Sequence, residues 1–147
     1  PVPPGTTVAW SWLARWPDVL RNAQPLFALT GGVHGAALVP LVPGPTLAVA
    51  EDVGRHNAVD KVIGFAAQNA PSAARGAGLM LSGRASYDLL QKAARAGIGV
   101  VASVGAPSSL AVEVARVAGI TLVGFLRGDR GNIYSHPGRV DRALPTP

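Results

Sequence analysis

The chain has 147 residues (15.0 kDa), 48% of them hydrophobic and only 14% charged, a balance that excludes intrinsic disorder and gives enough length for one domain with its own core. It contains no cysteine, which excludes a disulfide scaffold, a thiolate zinc site and thiol chemistry carried by these residues themselves. The formal charge is +5, but the 13 cations are 11 Arg and 2 Lys spread singly, which suits recognition of a few fixed phosphates or carboxylates better than a track for nucleic acid.

Residues 1–7 are proline-rich, begin with Pro rather than Met and lack the basic-then-apolar order of a signal peptide, so they read as a linker stub of an excised domain or processed product. Thr6 or Thr7 is expected to cap a short helix carrying Val8, Trp12, Leu13 and Trp16. Pro17 suits the first turn of a second, with Val19, Leu20, Ala23 and Phe27 on one face. Thr30-Gly31-Gly32 breaks the pattern. Residues 33–42 and 46–49 are apolar runs around Pro43-Gly44-Pro45 and predict an antiparallel hairpin.

The next helix is expected over 54–69, with Ala58, Val62 and Phe65 facing inward. A short strand follows at 78–81. A helix over 86–96 buries Leu89, Leu90, Ala93 and Ala94 and stops at Gly97. Residues 98–104 predict a buried strand. Ser108 or Ser109 caps a helix carrying Leu110, Val114 and Val117, ended by Gly119, and 120–126 form another buried strand. Ile133-Tyr134 adds a short extended piece. Residues 137–147 carry no further element, and the domain is bounded at 8–140 with a tail at 141–147. No apolar run reaches the roughly 18 to 20 residues of a membrane span.

Single helices between successive strands imply right-handed parallel crossovers, and uniformly apolar strands imply a sheet covered on both faces. The expected fold is therefore α/β: a three-layer α/β/α sandwich around a mixed, mostly parallel sheet with one antiparallel edge strand.

Sheets of this kind bind ligands outside the carboxyl ends of their strands, where helix N-termini present free N–H groups. The polar residues of this apolar chain collect at those positions. Glu51, Asp52, Arg55, His56, Asn57, Asp60 and Lys61 fall within eleven residues at one strand-to-helix junction. Ser82, Gly83, Arg84 and Ser86 follow the next strand, Ser108 and Ser109 the next, and Arg127, Gly128, Asp129 and Arg130 the last. His34, after Thr30, Gly31 and Gly32, is a further candidate, whereas His136 reads as structural. Arginines suit an anionic ligand, and ionised Glu51 or Asp52 would accept from the N–H edge of a guanine-like ring. Helix capping accounts for part of this set equally well. His34, His56 and His136 share no metal-ligand spacing, and Gly-x-Ser-x-Gly, Walker and Gly-x-Gly-x-x-Gly patterns are absent. The residues describe an Arg-lined pocket for a nucleotide or phosphate-bearing ligand, without an evident catalyst.

The stretches Thr30-Gly-Gly-Val-His34, Glu51-Asp-Val-Gly-Arg-His-Asn-Ala-Val-Asp-Lys61, Ser82-Gly-Arg-Ala-Ser86, Gln91-Lys-Ala-Ala-Arg-Ala-Gly97, Ala106-Pro-Ser-Ser-Leu-Ala-Val112 and Leu122-Val-Gly-Phe-Leu-Arg127 closely resemble the FdhD/NarQ family of formate dehydrogenase accessory sulfurtransferases, over about residues 8–140. The resemblance implies a cytidine deaminase-like fold without the deaminase zinc motif. It also implies sulfur transfer from a cysteine desulfurase to the bis-molybdopterin guanine dinucleotide cofactor of formate dehydrogenase, in a cytoplasmic dimer. By position, the family's cofactor-binding stretch falls on Phe125, Leu126, Arg127, Gly128, Asp129 and Arg130. The family's sulfur-carrying Cys-x-x-Cys loop has no counterpart here, so the resemblance points to a cofactor-binding domain without the persulfide cysteines. The alternative is a non-catalytic nucleotide- or cofactor-binding chaperone module. No protein-ligated metal, nucleic acid or membrane partner is expected.

Overall fold

Alternation of apolar side chains builds a six-stranded sheet, in which successive residues of each strand face opposite layers. A computed structural model describes residues 7–24, 32–69 and 72–142. The strands are β2 (His34–Pro40), β3 (Ala48–Asp52), β4 (Ala77–Leu81), β5 (Val100–Ser103), β6 (Thr121–Arg127) and β7 (Arg130–Ser135), in the order β3-β2-β4-β5-β6-β7. A further pair, β1 (Val8–Ala9) and β8 (Val140–Asp141), runs parallel.

The helices are α1 (Trp10–Leu13), α2 (Trp16–Asn22), α3 (Arg55–Asn69), α4 (Tyr87–Arg95) and α5 (Ser109–Ala118). Leu79, Leu81, Val101 and Leu122 pack with Ala58, Val62, Leu89, Leu90, Ala111 and Ala115 of α3, α4 and α5. Met80, Val100, Ala102, Val123 and Leu126 pack instead with Trp12, Leu13, Trp16 and Leu20 of α1 and α2. The result is the expected three-layer α/β/α sandwich. Trp16 lies so close over the sheet that a Cβ on Gly78 would stand 2.1 Å from its ring. Trp12 Nε1 donates to Pro40 O at 2.7 Å.

Several expectations change. The hairpin forms as read, but its first strand, β2, is antiparallel to both β3 and β4, and β7 is antiparallel to β6. The only parallel ladders of this sheet join β4, β5 and β6, so the reversed strands are one inside the sheet and one at its edge. A hairpin can insert its first strand between elements that a crossover helix joins, and local periodicity does not reveal that choice. Val8 is in a strand, not a helix. Within the expected tail, Pro137–Arg139 form a 3-10 turn and Val140–Asp141 return to pair with β1, while 143–147 lie outside the described residues. Arg139 holds this return, its Nη1 within 2.8–2.9 Å of Gly99 O, Gly119 O and Thr121 Oγ1.

One helix, α5, is rotated from its predicted phase, and on α3 Ala58 and Val62 face inward as expected but Phe65 does not. Phe65 of α3 is 53% exposed while Val59 and Ala66 are buried, and on α5 Leu110 (61%) and Val117 (84%) are exposed while Ala111 and Ala115 are buried. Small residues let a helix lie close on a sheet, and here that contact outweighs the size of the apolar side chains left outside. Among the described residues no helix is long and apolar enough to cross a membrane.

Candidate functional site

The carboxyl ends of β3, β4, β5 and β6 and the amino ends of β2 and β7 lie along one sheet edge, as their pairing requires: His34 opposes Asp52, Ala36 opposes Leu81 and Leu81 opposes Ser103. Beyond the strands the loops are bonded to one another. Gly35 N donates to Ser82 Oγ (2.8 Å) and Ser82 N to Gly35 O (3.1 Å). Gly105 N donates to Gly83 O (3.0 Å), Phe125 N to Gly105 O (3.1 Å), and Ala85 bridges to Pro107. Interlocked loops give a rim whose groups are fixed before a ligand arrives, which limits the ordering cost of binding.

Between this rim and α2 lies a cavity of about 610 Å³, within the size range of small-molecule and cofactor sites. Gly32, Val33, His34, Ser82, Gly83, Val104, Leu126, Arg127 and Gly128 form its strand-end wall, and Pro17, Asp18, Leu20, Arg21 and Gln24 the other. Gly32, Gly83 and Gly128 of the strand-end wall have only backbone to present. A Cβ on Gly83 would come within 3.2 Å of His34 Nδ1, so the glycine leaves room for the imidazole and brings main chain to the surface. Arg127 makes no ion pair or hydrogen bond among the described residues, leaving its guanidinium available to an anion.

Of the sequence-predicted set, Gly32, His34, Ser82, Gly83, Leu126, Arg127 and Gly128 therefore meet in one cavity. Thr30 and Gly31 lie outside the described residues. The remainder do not line it. Ser86 Oγ accepts from Leu89 N (3.4 Å) and Ser108 Oγ from Ala111 N (3.0 Å), each as the N-cap of its helix. Ser109 begins α5, and Arg84, Phe125, Asp129 and Arg130 are exposed outside the cavity. Phe125 has φ 54° at a break in the β6–β7 register, a strained conformation for a bulky residue.

The eleven-residue motif is occupied mostly with itself and its neighbours. Asp52 Oδ1 accepts from Gly54 N (2.9 Å) and Asn57 Nδ2 (3.4 Å), while Oδ2 stands 2.8 Å from Lys61 Nζ. The lysine beside it and the Gly54 N–H lower the Asp52 pKa from 3.8 to about 2. Lys61 also donates to Glu51 O (3.1 Å). Asp60 pairs with Lys92 of α4 at 2.5 Å, and His56 Nε2 stands 3.7 Å from Asp88 Oδ2. Arg55 Nε is buried without a hydrogen-bond partner. The motif reaches the cavity through Gln24, which is 3% exposed and donates to Glu51 Oε2 at 3.5 Å.

The wall that sequence reasoning missed is α2 and the residues just after it. Asp18, Arg21 and Gln24 recur every three residues, a spacing that shares a helix face. The apolar side of this segment was assigned to the core, but its polar side was not assigned to anything.

The chain matches the family model described as "FdhD/NarQ family" over residues 1–141. It is 56% identical over 134 residues to the sulfur carrier protein FdhD of Mycobacterium tuberculosis, covering 91% of this chain and 48% of that protein. It is 51% identical over 151 residues to the protein of the same name from Anaeromyxobacter dehalogenans, covering 99% and 52%. The chain thus spans about half the length of the curated relatives it matches. Among solved structures, one from Desulfotalea psychrophila named as a formate dehydrogenase accessory protein superimposes with a TM-score of 0.83 at 32% identity, over 95% of this chain and 61% of that one. A deaminase/reductase from Thermotoga maritima superimposes at 0.58 and 18% identity, over 78% and 37%, a likeness of fold that agrees with the deaminase-like architecture.

Proposed function

The chain belongs to the FdhD/NarQ family, and from that premise we propose that it is the cofactor-seating part of a sulfur carrier for formate dehydrogenase. In this reading the cavity between α2 and the strand ends holds a molybdopterin guanine dinucleotide as substrate, while sulfur from a cysteine desulfurase is passed to it. The working unit is a cytoplasmic homodimer. The 147 residues contain no cysteine, and a persulfide needs a thiolate, so the thiol that carries the sulfur lies outside them.

The observation that carries the reading is that glycines and a guanidinium without a partner among the described residues line one cavity: Gly83 and Gly128 with Arg127. Glycine lets a phosphate approach backbone closely, and Arg supplies bidentate donors for it. Ser82 is already bonded to Gly35, which fixes this rim. The residues present therefore fit a diphosphate-bearing ligand.

Titrating the chain with GDP, as the soluble part of the substrate, tests this. GDP should bind, and Arg127→Ala should weaken it about ten- to hundred-fold, the usual consequence of removing a charge-assisted contact. Binding to a random DNA duplex alone, falling steeply with salt, would reject the cavity assignment in favour of a phosphate-backbone surface. The absence of a thiol in the 147 residues favours a second reading, a module that only holds the cofactor. A cofactor-loaded chain that yields sulfurated dehydrogenase when a persulfide donor is supplied supports sulfur transfer at this site, and release of unsulfurated cofactor supports holding alone.

A further inference from the structure

The two walls of the cavity differ. Its strand-end wall offers Arg127 and three glycines, whereas the α2 wall carries Arg21 and also Asp18, the one carboxylate among the described residues that line it. Asp18 has no ion pair or hydrogen bond among the described residues. The acids expected to read a base are elsewhere: Asp52 is held by Lys61 and Gly54, and Glu51 accepts from Gln24.

Resting on the nucleotide-cofactor reading above, we propose that Asp18 recognises the N–H edge of a 2-amino-4-oxopyrimidine ring, with the phosphates of the ligand at Arg127 and Gly128. An ionised carboxylate only accepts hydrogen bonds, and its two oxygens match two adjacent donors. Guanine and pterin rings both present a ring N–H beside an exocyclic amino group. Adenine presents an acceptor nitrogen beside its amino group, which the carboxylate repels. Hypoxanthine lacks the 2-amino group and loses one of the two bonds. A site built to pair with two donors discriminates against a base that leaves an oxygen unpaired.

The test is a binding series on the 147-residue chain with GDP, IDP, ADP and xanthosine diphosphate. The wild type should bind GDP about ten-fold or more tighter than IDP or ADP. Asp18→Asn should weaken GDP about ten- to hundred-fold and reverse the preference toward xanthosine diphosphate, whose 2-oxo group accepts from the new amide. Should that variant fail to fold, the wild-type ratio of GDP to IDP affinity decides alone. Displacement of GDP by 6-hydroxymethylpterin shows that the subsite reads the shared edge, and failure of displacement assigns it to guanine. Equal affinity of the wild type for GDP, IDP and ADP, with Arg127→Ala still weakening all three, overturns the role of Asp18 and leaves the cavity assignment standing. A wild-type chain that binds no nucleotide removes the reading beneath it.

Discussion

Asp52 shows how much of the strand-end chemistry is spent on structure. Its carboxylate binds Lys61, the Gly54 N–H and Asn57 at once, and its pKa falls from 3.8 to about 2. A carboxylate with a lowered native pKa stabilises the fold above its unfolded pKa, near 4, and loses that contribution as pH falls through about 2. Urea midpoints followed from pH 5 to pH 2 should therefore fall more steeply for the wild type than for Asp52→Asn. Identical slopes would mean that the Lys61 contact contributes nothing in solution. The two strand-end arginines separate at this scale too. Arg127 lines the cavity and Arg84 does not, so Arg84→Ala should leave GDP affinity unchanged where Arg127→Ala lowers it. A pair of titrations checks this, and equal losses would place the ligand against both.

At the scale of elements, the strands from β2 to β6 and their connecting helices were legible because apolar runs, caps and glycine stops all agreed. Helix phase was not. The pattern Leu110, Val114, Val117 is a good helical stripe, but α5 buries Ala111 and Ala115 instead, because closeness to the sheet is a tertiary preference that a single sequence does not display. The first helix is not capped by Thr6 or Thr7 but starts after Ala9 with no side-chain cap, whereas the cap of α5 was legible to within one residue, and the structure chooses Ser108 over Ser109. Ser108→Ala should cost about 1 kcal/mol in denaturant unfolding, the usual value of an N-cap side chain, whereas Ser109→Ala should cost nothing measurable. The reverse order would contradict the cap. Between layers, Gly78→Ala drives a methyl against the Trp16 ring and should destabilise by about 1–3 kcal/mol or more, as overpacked cores do. Unchanged stability would mean that Trp16 does not lie over β4 in this way.

Across the whole molecule, the first and last described strands, β1 and β8, are brought together. The β1–β8 pair joins them, and Arg139, whose pKa burial lowers, bonds Gly99 O, Gly119 O and the Thr121 hydroxyl at the start of β6. Arg139→Ala removes three bonds to this charged group, although Gly99 O keeps the Thr121 N–H, and should cost about 1–3 kcal/mol, with faster hydrogen exchange in 137–141 than elsewhere. A uniform change in exchange would argue against a local clamp. The pairing of residues 8–9 with 140–141 was illegible because a lone arginine and two short strands carry no periodic signal. The site was half legible. The rule that ligands meet strand ends points to the edge that carries the cavity, but an edge has two faces, and only the layer assignment shows that α2 closes one of them while Arg84, Ser86, Ser108 and Ser109 stand outside the cavity. The central claim is that the nucleotide end of the ligand enters on the α2 face. A crystal structure of the chain with GDP tests it directly: density between α2 and the β6 end, with phosphates at Arg127 and Gly128, is the predicted result, and density at Arg84, Ser108 and Ser109 would contradict it.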